Sequence, residues 1–318
     1  MAKTLLRLGI VMDPIATITP KKDSSFAMLL EAERRSAEIH YFEQRDLRLV
    51  GGEALGRSRL LSVTDNHDAW FAFGAEQEIT LGELDVLLMR KDPPFDMEYV
   101  YTTYILERAA LAGALVINAP NALRDINEKA YTAWFPEFTP VTLITRSMAD
   151  LRAFLAEHGQ IVVKPLDGMG GRSIFVVKAG DNNANVIFET LTDNGRRFAV
   201  AQVYIPEIRL GDKRILLVDG EPVSGALARI PPANDNRGNL VMGATGKGQP
   251  LSDRDREICA AVGPVLRDKG VVFAGLDVIG DYLTEVNVTS PTGIRELDRQ
   301  FGLNIAGLLF DAIERRLG

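Results

Sequence analysis

The stretch V-V-K-P-L-D-G-M-G-G-R-S-I-F, Val162 to Phe175, runs from an apolar strand through a glycine cluster into a second apolar strand. It fails the P-loop test: GxxxxGK[ST] is absent, and G-K-G at Gly246 to Gly248 lacks both the spacing and the hydroxyl. No helix opens after the cluster, since S-I-F-V-V-K continues as a strand. A glycine loop between antiparallel strands still lets backbone N–H groups approach oxyanions, because residues without Cβ leave room for them. Taken alone, a structural hairpin tip is an equal reading. Lys164 shifts the balance: a lysine inside a strand as apolar as I-V-V-K-P is costly unless it faces an anion. The pair fits a nucleotide-binding lid better than a plain turn.

A second stretch, G-L-D-V-I-G-D-Y-L-T-E-V-N-V-T-S-P-T from Gly275 to Thr292, supplies what phosphate chemistry needs. Glu285 and Asn287 alternate with Val286 and Val288, so both oxygen donors leave one face of a strand. Mg²⁺ prefers oxygen and takes only one or two protein carboxylates, leaving the rest to phosphate and water. Asp277, on the partner strand, is the third candidate donor. A two-residue turn at Gly280-Asp281 would set Asp277 against Thr284 and away from Glu285, so shared metal binding predicts an odd loop. The rival reading is a solvated strand face, against which the apolar neighbours Leu276, Val278, Val286 and Val288 weigh.

Two further segments fit around these. Gln202, Val203, Tyr204 and Ile205 lead towards Asp212 as an adenine-edge segment with a ribose contact would, with an edge strand as the plainer alternative. Pro231 to Pro250 is too long and too rich in Gly, Pro and Asn for a compact element, and reads either as a mobile lid flanked early by Arg229 and Arg237 or as surface disorder.

The chain has 318 residues, 36 Lys+Arg against 43 Asp+Glu, and one cysteine. A net charge of -7 without a clustered basic footprint argues against nucleic acid. The lone Cys259 excludes an internal disulfide and any CxxC metal site, and its flank D-R-E-I-C-A-A-V reads as a helix's buried face. No apolar run of about 18 residues occurs, so neither a membrane span nor export is expected, and a cytoplasmic location is.

Strands at Leu6–Met12, Glu38–Phe42, Val86–Met89 and Leu115–Asn118 and helices at Asp23–Ala37 and Tyr99–Ala112 give a parallel, Rossmann-like α/β opening. No GxGxxG follows its first strand, and Ala54–Ala72 reads as an inserted hairpin. Beyond Pro120 the expected elements are a helix over Ala122–Trp134, a strand over Val141–Thr145 and a helix over Ser147–His158 with a Ser147/Asp150 capping box. A hairpin turning at Asp219-Gly220, a helix over Ser252–Lys269 and a closing helix over Asn304–Leu317 follow. This half is α+β with antiparallel sheets.

With these residues in view, the chain resembles the bacterial glutathione synthetase family of the ATP-grasp superfamily. L-G-I-V-M-D-P-I, K-K-D-S-S-F-A-M-L-L-E-A, L-L-M-R-K-D-P-P-F-D, N-E-K-A-Y-T-A-W-F, K-P-L-D-G-M-G-G and the Gly275–Thr292 stretch carry the resemblance over essentially the whole chain. It implies a Rossmann-like (pre-ATP-grasp) N-terminal domain over 1–128 and a two-part ATP-grasp domain with antiparallel sheets. The lid subdomain would span 129–202, and the C-terminal subdomain 203–318 with a mobile loop 231–250. The implied reaction joins γ-glutamylcysteine and glycine at the expense of ATP through an acyl phosphate.

Carried over by position, Lys129, Lys164, Gly168, Gly170 and Gly171 would meet the ATP phosphates, and Gln202, Val203, Tyr204, Ile205 and Asp212 its adenine and ribose. Asp277, Glu285 and Asn287 would bind Mg²⁺, with two ions implied and Mn²⁺ as an alternative. Arg214, Arg229 and Arg237 would hold substrate carboxylates and the transferring phosphoryl group. Ser290, Pro291 and Thr292 would line the acceptor region, and Arg90 would anchor the γ-glutamyl end. Arg172 and A-N-D-N in the lid depart from the family pattern. The resemblance also implies a homotetramer; the lack of a long apolar run leaves no membrane partner expected. Two other readings stay open: an ATP-grasp ligase with a different carboxylate substrate, which would alter the Met89–Asp96 block, and a nucleotide-binding regulatory protein without turnover, which would have lost Glu285, Asn287 or Arg214.

Overall fold

The computed structural model describes residues 5–168, 170–232 and 245–318. Three sheets follow one another along the chain. The first is built from β1 (Arg7–Val11), β2 (Glu38–Phe42), β3 (Leu47–Val50), β4 (Glu53–Val63), β5 (Phe71–Thr80), β6 (Val86–Met89) and β7 (Leu115–Ile117). Its strands β2, β1, β6 and β7 run parallel in that spatial order, with α1 (Ser24–Arg34) and α2 (Met97–Leu111) in the crossovers. Asp23 and Asp96 cap these helices by accepting from Phe26 N and Tyr99 N, as side-chain oxygens do for the orphan donors of a first turn. The β4–β5 hairpin is longer than the insertion expected from the sequence and belongs to the sheet, because β4 pairs with β2, β3 and β5.

The expected helix over Ala122–Trp134 is broken. The short α3 (Pro120–Asp125) ends before Ile126, and a separate 3₁₀ turn covers Ala130–Trp134. Asn127 makes the break: its Oδ1 accepts from Lys129 N and Ala130 N, while its Nδ2 donates to Leu166 O. Such side-chain bonds to nearby backbone compete directly with helix. The second sheet comprises β8 (Thr142–Thr145), β9 (Gln160–Pro165), β10 (Phe175–Lys178) and β11 (Ala199–Val203), all antiparallel, in the order β10-β9-β11-β8. It is backed by α4 (Met148–His158) and α5 (Ala184–Thr192). Only half of the expected capping box forms at α4: Ser147 Oγ accepts from Asp150 N, but the Asp150 carboxylate accepts from Thr145 Oγ1 instead of reaching back to the Ser147 backbone.

The third sheet, in the order β14-β13-β12-β15-β16, contains β12 (Asp212–Val218), β13 (Glu221–Ile230), β14 (Thr245–Pro250), β15 (Phe273–Ile279) and β16 (Tyr282–Asn287). Asp219 and Gly220, both with positive φ, form the expected two-residue turn. Of the loop expected over 231–250, Thr245–Pro250 is instead a strand that pairs antiparallel with β13, and 233–244 lie outside the described residues. Gly248 lies so close to the Phe301 ring that an added Cβ would stand 2.7 Å from it, so packing rather than strand propensity favours this glycine-rich strand.

Helix α6 (Asp253–Asp268) starts from a complete Ser252/Asp255 capping box. Cys259 lies on its buried face, with burial pushing the thiol up to about 12. The chain closes with α7 (Ile294–Phe301) and α8 (Ile305–Leu317), which pack back onto α1 and share a core with the first sheet. Among the described residues no helix is long and apolar enough to cross a membrane.

Candidate active site

A cavity of about 290 Å³ opens where the second sheet faces the β15–β16 hairpin, with the loop after β6 at one side. Of the residues singled out in the sequence, Lys129, Lys164, Gly168, Gly170, Gly171, Gln202, Val203, Tyr204, Ile205, Asp212, Arg214, Arg229, Asp277, Glu285, Asn287, Ser290, Pro291 and Thr292 all line it. Arg237 lies outside the described residues.

The two lysines arrive from different elements. Lys164, 6% exposed on β9, donates to Glu285 Oε1 at 3.2 Å. Lys129, freed by the helix break, hydrogen-bonds Glu128, donates to Gly168 O at 2.6 Å and stands 3.8 Å from Glu285. Burial opposes ionisation of Glu285, but Lys129 and Lys164 outweigh it and hold the carboxyl below its ordinary range. Lys129 is held above its usual value, since Glu285 and Glu128 overcome the burial that favours the neutral amine. Glu128 itself is raised, first by burial and then by the charge of Glu285. At the turn between β9 and β10, Gly170 and Gly171 have φ of +66° and +78°, a region side chains rarely enter.

The hairpin expectation is half met. The turn between β15 and β16 is Gly280-Asp281, two residues and not an odd loop, yet Asp277 still pairs with Glu285. A β-bulge between Asp277 and Val278 makes the difference: Val278 pairs with Leu283, leaving Thr284 as the extra residue whose Oγ1 donates to Asp277 O at 3.1 Å. One inserted residue restores the parity that the short turn would have reversed.

Asp277 is 3% exposed and doubly clamped. Arg214 Nε donates to its Oδ1 at 2.5 Å and Arg214 Nη2 to its Oδ2 at 3.0 Å, while Arg229 Nη2 stands 2.9 Å from Oδ2. Burial works against the charge, but the two guanidinium groups hold the carboxyl far below the carboxylate range. Arg229 also pairs with one oxygen of Asp212. The other, Asp212 Oδ1, is buried without a hydrogen-bond partner, and burial raises this carboxyl to about 6.

A buried acceptor of this kind in a cavity wall fits a hydroxyl donor of a ligand. Among the described residues no group of three or more His, Cys, Asp or Glu side chains is arranged to hold a metal. The adjacent donors Glu285 and Asn287 therefore fit a hard ion that draws its remaining ligands from phosphate and water.

Two expectations change. Gln202–Ile205 does not belong to an edge strand, because β11 lies between β9 and β8. Arg90 does not line the cavity; buried, it donates through Nε to Ser25 Oγ and through Nη2 to Pro291 O, both at 3.0 Å, and so supports the acceptor segment from behind. The sequence reading passed over Glu128, Asp92 and the apolar walls Val162, Val176, Ile208 and Ile279. Val162 was accessible to it, two residues before Lys164 and thus on the same face of β9.

Comparison with known proteins matches residues 128–302 to the prokaryotic glutathione synthetase ATP-grasp domain and residues 6–124 to the N-terminal domain of the same family. The chain belongs to the prokaryotic glutathione synthetase family. It is 60% identical to the glutathione synthetase of Salmonella typhimurium (strain LT2) over 313 residues, 98% of this chain and 99% of the relative. The Escherichia coli (strain K12) glutathione synthetase is 58% identical over the same shares of both chains. Among solved structures, the D-cycloserine synthetase DcsG superposes with a TM-score of 0.69 at 18% identity, covering 98% of this chain and 100% of that one. The ATP-grasp ligase PsnB, complexed with precursor peptide PsnA2 and AMPPNP, superposes at 0.62 and 17% identity, covering 98% of each. These two share the ATP-grasp fold. Like the family it belongs to, this chain is an ATP-dependent ligase, built as the expected α/β N-terminal domain followed by antiparallel ATP-grasp sheets.

Proposed function

We propose that this ligase joins γ-glutamylcysteine to glycine, giving glutathione, ADP and phosphate. The observation that carries the reading is the 57–60% identity to curated glutathione synthetases along 98% of the chain. The division proposed is 1–128, 129–202 and 203–318, which gives one sheet to each part except that Val203, the last residue of β11, falls in the third.

In the reaction proposed, an oxygen of the cysteinyl carboxylate attacks the γ-phosphorus as the bond to ADP breaks. The amine of glycine then attacks the acyl carbon, and phosphate leaves carrying that carboxylate oxygen. No protein nucleophile takes part, so the residues act by placing charge. Lys129 and Lys164 hold phosphate oxygens against Glu285, and the backbone around Gly168, Gly170 and Gly171 covers them. Gln202 to Ile205 frame the adenine, and Asp212 Oδ1 accepts from a ribose hydroxyl. Glu285, Asn287 and Asp277 would hold Mg²⁺, which would supply charge neutralisation for the transferring phosphoryl group. Asp277 Oδ1 takes one contact, from Arg214, and Oδ2 two, from Arg214 and Arg229, so Oδ1 keeps a lone pair that would be open to the ion. Ser290 to Thr292 take the acceptor end of the peptide.

Two ions, a homotetrameric assembly and a cytoplasmic setting complete the proposal, each on family grounds. The test is ADP release with γ-glutamylcysteine, with and without glycine. Stoichiometric ADP and glutathione with both substrates supports the reading, and absence of turnover with both sinks it.

A further inference from the structure

The cavity is lined by five carboxylates, and among the described residues four of them have a Lys or Arg within 4 Å: Glu128 has Lys129, Asp212 has Arg229, Asp277 has Arg214 and Arg229, and Glu285 has both lysines. Asp92 is the fifth. It is exposed at the cavity wall in the loop after β6, and its side chain accepts from a neutral group, Ser290 Oγ, at 2.5 Å. Its backbone is fixed as well, Asp92 N donating to Asp13 Oδ2 at 2.9 Å. A carboxylate is thus held in place beside the acceptor segment with no Lys or Arg within 4 Å among the described residues, the charge acting on it from behind the segment being that of the buried Arg90.

A peptide joined through a glutamyl side chain keeps the α-ammonium of that glutamate. In this cavity such a cation meets lysines and arginines elsewhere and committed acids beside them. We infer that Asp92 binds the α-ammonium of the γ-glutamyl group and is a specificity-determining residue for the peptide. The assignment rests on the proposed reaction and deepens it. It also moves the γ-glutamyl contact from Arg90, whose guanidinium is spent on Ser25 and Pro291, to the acid two residues on.

The test compares γ-glutamylcysteine with its des-amino analogue glutarylcysteine. A charge-assisted contact of this kind corresponds to a preference in kcat/KM of about 30-fold. The wild-type chain is expected to favour γ-glutamylcysteine by about that factor, chiefly through KM, and Asp92→Asn to bring the ratio to within about threefold of unity. ATP affinity, measured by calorimetry, is expected to match wild type, which a misfolded variant would not do. Should Asp92→Asn fail to fold, Ser290→Ala is expected to lower the preference by about threefold, since it frees the carboxylate to swing.

Equal losses for both peptides would overturn the assignment, because a structural role moves both alike, and so would a wild-type enzyme indifferent to the ammonium. If the wild-type chain turns over neither peptide with glycine, the reaction reading itself fails, and that result is distinct from a retained reaction with an unchanged preference.

Discussion

Replacing Asp277 by Asn removes the counter-charge from two buried guanidinium groups. Arg214 and Arg229 are each no more than 7% exposed, and Asp277 is 3% exposed. Breaking a buried pair by neutralising one partner costs about 3–5 kcal/mol, because the remaining charge is left uncompensated. Two features place this case at the low end: Asp212 still pairs with Arg229, and the Asn carbonyl still accepts one hydrogen bond. A cost of about 3 kcal/mol, set against about 2.1 cal/mol/K of unfolding entropy per residue over 318 residues, lowers the melting temperature by about 4 °C. Calorimetric melting without nucleotide or metal checks the structural share, and phosphate release checks the catalytic share, which is expected to fall at least about 100-fold. A variant that melts within about 1 °C of wild type would refute the claim that the guanidinium clamp on Asp277 supports the fold.

Glu285→Gln should separate the two effects that Asp277→Asn combines. Glu285 is partly exposed, Lys129 keeps Glu128 and Gly168 O as partners, and the Gln carbonyl still accepts from Lys164, so turnover should fall about 100-fold while melting shifts by no more than about 2 °C. An equal loss of stability would make Glu285 structural. Glu31, 4% exposed and bonded by Arg34 and Arg35, is lowered to about 2 from 4.5, chiefly by the Arg34 hydrogen bonds. Its stabilisation is therefore full above pH 4.5 and lost as pH falls towards about 2. The stability gap between wild type and Glu31→Gln should be about 2 kcal/mol at neutral pH after screening and should close on acidification; a pH-independent gap in denaturant melts would contradict this. Gly263→Ala places a Cβ 2.0 Å from Gly220 O, where α6 crosses the β12–β13 turn. The backbone contact has no room to give, so a loss of about 3 kcal/mol is expected in the same melts, and a neutral outcome would mean that turn and helix are not packed as described.

Much of the fold could be read from period and punctuation. The parallel opening, the Asp219-Gly220 hairpin and the helix after Ser252 all carried local signals: apolar runs of strand length, a turn dipeptide and a cap. What failed was decided by tertiary or side-chain competition. Asn127 breaks a helix that the apolar spacing from Ala122 to Trp134 continues, and that break delivers Lys129 to the site. The glycine-rich segment Thr245–Pro250 reads as loop but is held as a strand by pairing with β13 and by the Phe301 ring.

The site was legible where charge stood in an apolar strand, at Lys164, and where donors alternated, at Glu285 and Asn287. The bulge at Thr284 left no mark in composition, so Asp277 meets Glu285 across a two-residue turn where shared metal binding had implied an odd loop. Asp92 was invisible as a site residue because its meaning lies in the partners of the other four acids, which only the fold brings together.

The most direct test of the account follows the oxygen atoms. With γ-glutamylcysteine labelled by oxygen-18 in the cysteinyl carboxylate, one labelled oxygen is expected in each phosphate released with glycine and ATP, since that oxygen attacks phosphorus and departs with it. Phosphate free of label, formed alongside glutathione, would contradict it.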